Sequence, residues 1–314
     1  MTRNTVAVIG AGNVGATVAS RILQRDLADV VLCDVVPGLA QGKSLDLLQS
    51  LPLIGSACSV RGTESFSEIG MADIFVMTAG MRRRPGMSRL ELLKKNADIV
   101  GDICTQIARQ SPDSIIIMVT NPLDIMTYLA FRVTKFDPAR IMGMAGVLDS
   151  ARFRAVVAQR LRVSAAEVDA LVLGGHGDLM VPVVSRATVS GTPLRQKMSA
   201  TEIAELVERT RNAGGEIVSL LKEASAFYAP AEAVTTMVAN LLGDSRELLT
   251  ASVLLQGQYG LKDSFLGVPV RLGRAGVQEI VEIPLELAEQ EALHRSAEEV
   301  RQGIAELDQV TRAV

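Results

Sequence analysis

Two features of the chain predict an α/β fold with a doubly wound parallel sheet. Through the first half, short apolar runs alternate with helical patterns. Each run is almost continuously apolar, as strands covered on both faces require. After the first run, Gly10-Ala11-Gly12-Asn13-Val14-Gly15 turns the chain into a helix. Strand, glycine turn and helix in that order open a Rossmann-type sheet.

Taken in order, the predicted strands of the first half are Val6 to Ile9, Val30 to Cys33, Ile74 to Thr78, Ile115 to Val119 and Arg140 to Gly143. Helices are predicted over Val14 to Arg25, Gly38 to Gln49 and Leu90 to Arg109. From about Val147 the pattern is mixed. A helix over Ser150 to Arg160 leads into strands over Ala170 to Leu173 and Val181 to Val189. Helices over Thr201 to Lys222 and Ala231 to Leu242 precede strands over Thr250 to Leu255 and Gly267 to Leu272. A charged amphipathic helix, Leu285 to Val310, closes the chain. The expected domains are a Rossmann-type dinucleotide domain over 1–146 and a mixed α/β substrate domain over 147–314. With no flexible linker between them, they are expected to pack closely about a ligand cleft.

Composition narrows the function. Hydrophobic residues make up 48% of the chain, enough for a large core, yet no run of ~18 apolar residues predicts a membrane span. The net charge is −3 and there is no Trp, so a nucleic-acid surface is not expected. The only basic block, Arg82-Arg83-Arg84, reads by itself as a solvated loop face. Cys33, Cys58 and Cys104 are odd in number and widely spaced, which suits neither a disulfide framework nor a zinc site. Cys33, within an apolar strand, reads as buried packing. Met1-Thr2-Arg3-Asn4 runs straight into the first strand without a secretory signal, so the cytoplasm is the expected compartment.

The glycine turn has the context that dinucleotide binding needs. Gly10 permits the tight turn, Gly12 lets backbone approach a pyrophosphate, and Gly15 lets helix and strand pack closely. The helix N-terminus offers free N–H groups and a positive dipole end to the phosphates. Asp34 ends the second strand, 19 residues after Gly15. A carboxylate there binds ribose hydroxyls and repels a 2′-phosphate, so NAD is expected over NADP.

Of the two histidines, His294 lies in the charged C-terminal helix and reads as a solvated residue. His176 lies in Gly174-Gly175-His176-Gly177-Asp178, just past an apolar strand, with room for a ligand. A histidine takes or gives a proton near neutral pH. Asp149 and Arg152, three apart on one helix face, are its expected partners. They also fit an N-terminal cap with a local ion pair. As site residues, Asp149 orients the imidazole and Arg152 clamps a carboxylate.

At these residues the chain resembles the lactate/malate dehydrogenase family. The resemblance is carried by Gly10 to Gly15, Asp34, Thr78-Ala79-Gly80, Val119-Thr120-Asn121-Pro122, Leu148 to Arg152 and Gly174 to Asp178. Within the family the chain is similar to the lactate-dehydrogenase-like malate enzymes, with Arg82-Arg83-Arg84-Pro85-Gly86-Met87-Ser88-Arg89 in the position of their mobile loop. The resemblance implies a reversible oxidation of malate to oxaloacetate with NAD. In it His176 moves the proton, Asp149 supports it, and Arg89 polarises the substrate carbonyl. Arg152 holds the carboxylate beside the reacting carbon and Arg83 the second one. Asn121 bonds the substrate oxygen and faces the cofactor. Gly10, Ala11, Gly12, Asn13, Val14, Gly15, Asp34, Asn96, Val119, Thr120 and Asn121 surround NAD. The resemblance further implies a cis Asn121–Pro122 bond, closure of the loop over substrate, and a homo-oligomer, a tetramer in preference to a dimer. Glu232, where the family usually has a small residue, is expected to point away from the pocket. Two other activities remain open: lactate oxidation, which Arg83 opposes, and the metal-dependent chemistry of NAD-dependent glycosidases on the same fold.

Overall fold

The computed structural model describes residues 3–81 and 86–311. The first half runs β1 (Thr5–Ile9), α1 (Asn13–Gln24), β2 (Asp29–Cys33), α2 (Leu39–Ile54), β3 (Val60–Thr63), β4 (Ile74–Met77), α3 (Arg89–Gln110), β5 (Ile115–Met118), α4 (Leu123–Thr134) and β6 (Ile141–Gly143). Strand order is β3-β2-β1-β4-β5-β6, all parallel. In this half the predicted strands and helices lie within about two residues of the observed ones, with three exceptions. β3 and α4 were not predicted. α2 runs past Gln49 and over Pro52 to Gly55, whose φ of +68° stops it. Pro52 has no N–H to donate to the Leu48 carbonyl, so the last turn of α2 lacks one helical hydrogen bond.

Order reverses between β1 and β4, the switch point where ligands bind at the carboxyl ends of strands in such sheets. The glycine turn after β1, the segment from Thr78 after β4 and the segment from Val119 after β5 all sit at that edge.

The second half runs α5 (Ala145–Leu161), β7 (Val168–Asp169), β8 (Val172–Gly174), β9 (Met180–Pro182), β10 (Thr188–Val189), β11 (Thr192–Pro193), α6 (Leu194–Lys197), α7 (Ala200–Leu221), α8 (Tyr228–Gly243), β12 (Leu248–Gln256), β13 (Lys262–Gly273), β14 (Gly276–Ile280) and α9 (Leu287–Thr311). The long β12–β13 antiparallel pair continues the first sheet, because Ser252 of β12 pairs with Gly143 of β6. β8 and β9 extend the sheet beyond β13, and β14 pairs with β13. β7, β10 and β11 form a separate antiparallel sheet. The expected strand over Val181 to Val189 is therefore two strands in different sheets. Pro182 contributes no N–H to a ladder, and a 3-10 turn over Val184–Arg186 redirects the chain.

The main core follows the large sheet from β1 to β13 and the inner faces of α8 and α9. A second cluster, including Phe153, Val157, Ile203 and Leu206, fills the space between α5 and α7. That packing fixes α5, the helix that carries Asp149 and Arg152, against α7.

Candidate active site

The glycine turn shows why each glycine is needed. Gly10 has φ +104°, and a Cβ there would lie 2.7 Å from Thr78 Oγ1. A Cβ on Gly15 would stand 1.9 Å from the Gly10 carbonyl oxygen, so helix and turn meet there without room for a methyl group. Around Gly12 nothing lies within 4 Å. The turn is thus packed at Gly10 and Gly15 and open at Gly12, where backbone can approach a pyrophosphate. Asn13 and Val14 begin α1, so their N–H groups belong to the unsatisfied first turn. These features fit a dinucleotide.

Asp34 follows β2 directly. Its carboxylate accepts hydrogen bonds from the backbone N–H of Ala11 (2.6 Å) and of Val36 (2.9 Å). Lys43 Nζ donates to the Ala11 carbonyl at 2.7 Å. Ala11 is therefore held from both sides, by an acid and by a lysine that the sequence did not single out.

Asn96 is buried in α3. Its Oδ1 accepts from Met81 N–H at 2.7 Å, and its Nδ2 donates to the Asn121 carbonyl at 2.7 Å. The amide is occupied by backbone and ties the chain beyond Gly80 to Asn121. Thr120 Oγ1 donates to the Ala79 carbonyl at 2.6 Å, joining the same two segments. Val119 is partly buried against the core, and Asn121 is exposed. The Asn121–Pro122 bond is cis, as expected.

His176 sits in the turn between β8 and β9. Its Nδ1 lies 2.8 Å from Asp149 Oδ2. A carboxylate only accepts, so Nδ1 carries the proton and Nε2 is the free acceptor of the neutral ring. Asp149 is 1% exposed, and its other oxygen lies 3.4 Å from Arg152 Nη1. α5 begins at Ala145, so Asp149 stands inside the helix and is not its N-terminal cap. Arg152 is mostly buried, and its Nε has no hydrogen-bond partner among the described residues. An unpaired guanidinium N–H beside an imidazole is suited to an incoming carboxylate.

Burial favours the neutral ring of His176. Asp149 and Asp124 oppose it, Arg152 adds to it, and the net result is a pKa above the ordinary 6.5. Asp124 was not singled out by the sequence, although an acid inside Leu123-Asp124-Ile125-Met126 was a signal. It accepts from the His176 backbone N–H at 2.8 Å and from Ser252 Oγ at 2.6 Å.

The structure brings His176, Asp149, Arg152 and Asp124 together. Arg89 is not joined to them. It is the exposed first residue of α3, behind a capping box made by Ser88 and Glu91. Arg83, with Arg82, Arg84 and Pro85, lies outside the described residues. Glu232 pairs with Arg21 of α1 and with Arg25, which caps that helix, and its charge is occupied there. His294 is not a solvated residue as expected. It is partly buried, with Nε2 2.8 Å from the Tyr259 carbonyl. The three cysteines are buried free thiols, as read for Cys33. Burial pushes Cys33 up to about 11 and Cys104 up to about 12, so neither is a thiolate near neutral pH.

Both halves match family models. Residues 4–143 match the NAD binding domain of lactate/malate dehydrogenases, and residues 146–311 match their alpha/beta C-terminal domain. The chain belongs to the lactate/malate dehydrogenase family. A malate dehydrogenase from Thermomicrobium roseum is 51% identical over 309 residues, 98% of this chain and 100% of that protein. The structure of malate dehydrogenase from Salinibacter ruber superposes with a TM-score of 0.94 at 44% identity, covering 98% of this chain and 99% of that one. A lactate dehydrogenase from Cryptosporidium parvum, solved with lactic acid and NAD, superposes with a TM-score of 0.95 at 38% identity over 98% of this chain and 99% of that one. The fold alone therefore does not choose between the two substrates.

Proposed function

We infer that the chain catalyses the reversible, NAD-dependent oxidation of (S)-malate to oxaloacetate. The observation that carries this is the Asp149–His176 pair with Arg152 alongside, in a family member about half identical to malate dehydrogenases. The family models matched in both halves are those of hydroxy-acid dehydrogenases, which leaves the glycosidase alternative without support.

The residues divide the work as follows. Nε2 of His176 accepts the hydroxyl proton, and Asp149 stabilises the imidazolium that results. Arg152 holds the carboxylate beside the reacting carbon, and Arg89 stabilises charge developing on the substrate oxygen. Arg83 pairs with the second carboxylate, which lactate lacks. Asn121 bonds the substrate oxygen, while Val119 and Thr120 line the cofactor side with the 10–15 turn and Asp34. Asn96 keeps Met81 and Asn121 in place behind them. Bound NAD supplies the hydride acceptor in one direction and the donor in the other.

The domains are 1–146 for the dinucleotide and 147–314 for the substrate. The assembly we favour is a homotetramer. Its support is the outer face of α2, where Leu45, Leu48 and Leu53 are 56%, 46% and 88% exposed, an apolar surface suited to a second copy. Light scattering at micromolar protein tests it, and a monomer there counts against it. Among the described residues no helix is long and apolar enough to cross a membrane. Three free cysteines suit a reducing compartment, so we place the enzyme in the cytoplasm, at the malate step of the tricarboxylic acid cycle.

Steady-state oxidation of NADH and NADPH with oxaloacetate and with pyruvate tests the function. The expected order is NADH with oxaloacetate far above the other three pairs. A preference for pyruvate would move the assignment to lactate, and equal use of NADPH would remove the role given to Asp34.

A further inference from the structure

A second carboxylate stands behind the catalytic loop. Asp124, in the first turn of α4, is 5% exposed. Its two oxygens accept from the His176 backbone N–H (2.8 Å) and from Ser252 Oγ (2.6 Å). One buried side chain thus joins α4, the turn bearing His176, and β12. A buried carboxylate normally keeps its charge through a fixed cation or several donors. Here there are two donors and, among the described residues, no Lys or Arg ion pair; burial raises the Asp124 pKa, and the Ser252 and His176 hydrogen bonds and the His176 ring oppose that rise. The cation near it is the one that forms during turnover, on His176.

We propose that Asp124 is a positioning residue that anchors the backbone of His176 and supplies the second negative charge against which the imidazolium forms. Its contact with His176 is to the backbone, so it acts through that residue and touches no reacting atom. The proposal rests on His176 as the proton acceptor. The charged groups facing that ring are Asp149 and Arg152 from α5 and Asp124 from α4, while β12 contributes the neutral Ser252 and α9 the neutral Ser296 beneath Gly175. Asp178, in the same turn, is exposed. Asp149 favours the imidazolium most, and Asp124 adds to it against burial and the smaller opposing effect of Arg152. The raised pKa of His176, to which Asp124 contributes, agrees with this.

Asp124→Asn tests the charge while keeping the shape, because the amide oxygen can still accept from the His176 N–H. With only two histidines in the chain, the ring of His176 can be assigned by comparison with H176N and titrated by NMR on histidine-labelled protein. The expected pKa in D124N is lower by roughly 0.5–1 unit. The pH profile of kcat/KM for malate moves to lower pH by the same amount. Asp124→Ala also removes the anchor and costs at least a further ~10-fold in kcat. Ser252→Ala keeps the carboxylate and its charge and is the control, expected to leave the His176 pKa near the wild-type value. An unmoved His176 pKa in D124N overturns the proposal. If D124N does not fold, an unmoved pKa in D124A does so. If instead wild-type activity shows no titration that matches the His176 ring, the fault lies with the role of His176.

Discussion

Asp149 bridges His176 and Arg152, one oxygen 2.8 Å from the imidazole and the other 3.4 Å from the guanidinium. One buried acid therefore holds both side chains, the proposed proton acceptor and the proposed carboxylate clamp. His176→Asn is expected to bind NADH normally and to lose at least ~10²-fold in turnover, the scale of a lost acid–base group. Asp149→Asn is expected to lose turnover and weaken substrate binding together, since it frees both partners. Stopped-flow turnover and fluorescence titration with NADH check both. Near-normal turnover in H176N would sink the assignment.

The direction of the reaction fixes the sign of its pH dependence. With His176 as the proposed proton acceptor, malate oxidation needs the neutral ring and oxaloacetate reduction the imidazolium. Burial lowers the His176 pKa, the two acids raise it further, and the net value lies above 6.5. Malate kcat/KM is therefore expected to rise with pH through a midpoint above 6.5, while oxaloacetate kcat/KM falls through the same midpoint. Profiles that run in the same direction for both substrates would contradict this.

These features differ in how far the sequence reveals them. β1 and β5 read as apolar runs because they are covered on both faces. β3 did not, because Val60-Arg61-Gly62-Thr63 is an edge strand with Arg61 exposed. α4 was hidden because it starts only five residues after β5, so apolar strand and apolar helix merge. At the site, His176 and Asp149 stood out as a rare residue among glycines and an acid in a helix. Asp124, Lys43 and His294 did not, because each meets a backbone group, and sequence spacing does not mark a backbone partner.

Two glycines three residues apart are expected to fail in different ways. Gly15→Ala places a methyl group on the Gly10 carbonyl and must move helix or turn. It should cost about 1–3 kcal/mol of stability, as overpacking does. Gly12→Ala meets nothing within 4 Å, so its melting temperature should stay near wild type. NADH affinity should nevertheless fall at least ~10-fold, because the methyl group occupies the approach to the pyrophosphate. Thermal unfolding and NADH titration separate the two. A Gly12→Ala protein that is both stable and tight for NADH would move the pyrophosphate away from this turn.

In the proposed function substrate choice rests on Arg83, which lies outside the described residues. Oxaloacetate differs from pyruvate by one carboxylate, and a lactate dehydrogenase shares this fold at a TM-score of 0.95. The discrimination must then come from a side chain, and in the proposed site Arg152 is assigned to the carboxylate that both substrates have. A guanidinium paired with the second carboxylate contributes about 1.5–3 kcal/mol. With pyruvate it is left unpaired, which adds to the discrimination. Arg83→Gln should lose roughly 10–100-fold in kcat/KM for oxaloacetate, gain pyruvate reduction, and keep NADH affinity. Arg82→Ala and Arg84→Ala are the controls, because either neighbour carries the same charge. If R83Q leaves the preference intact while one control abolishes it, the specificity position belongs to that neighbour. If all three keep the preference for oxaloacetate, the second carboxylate is held elsewhere, and the arginine run returns to being a solvated loop face.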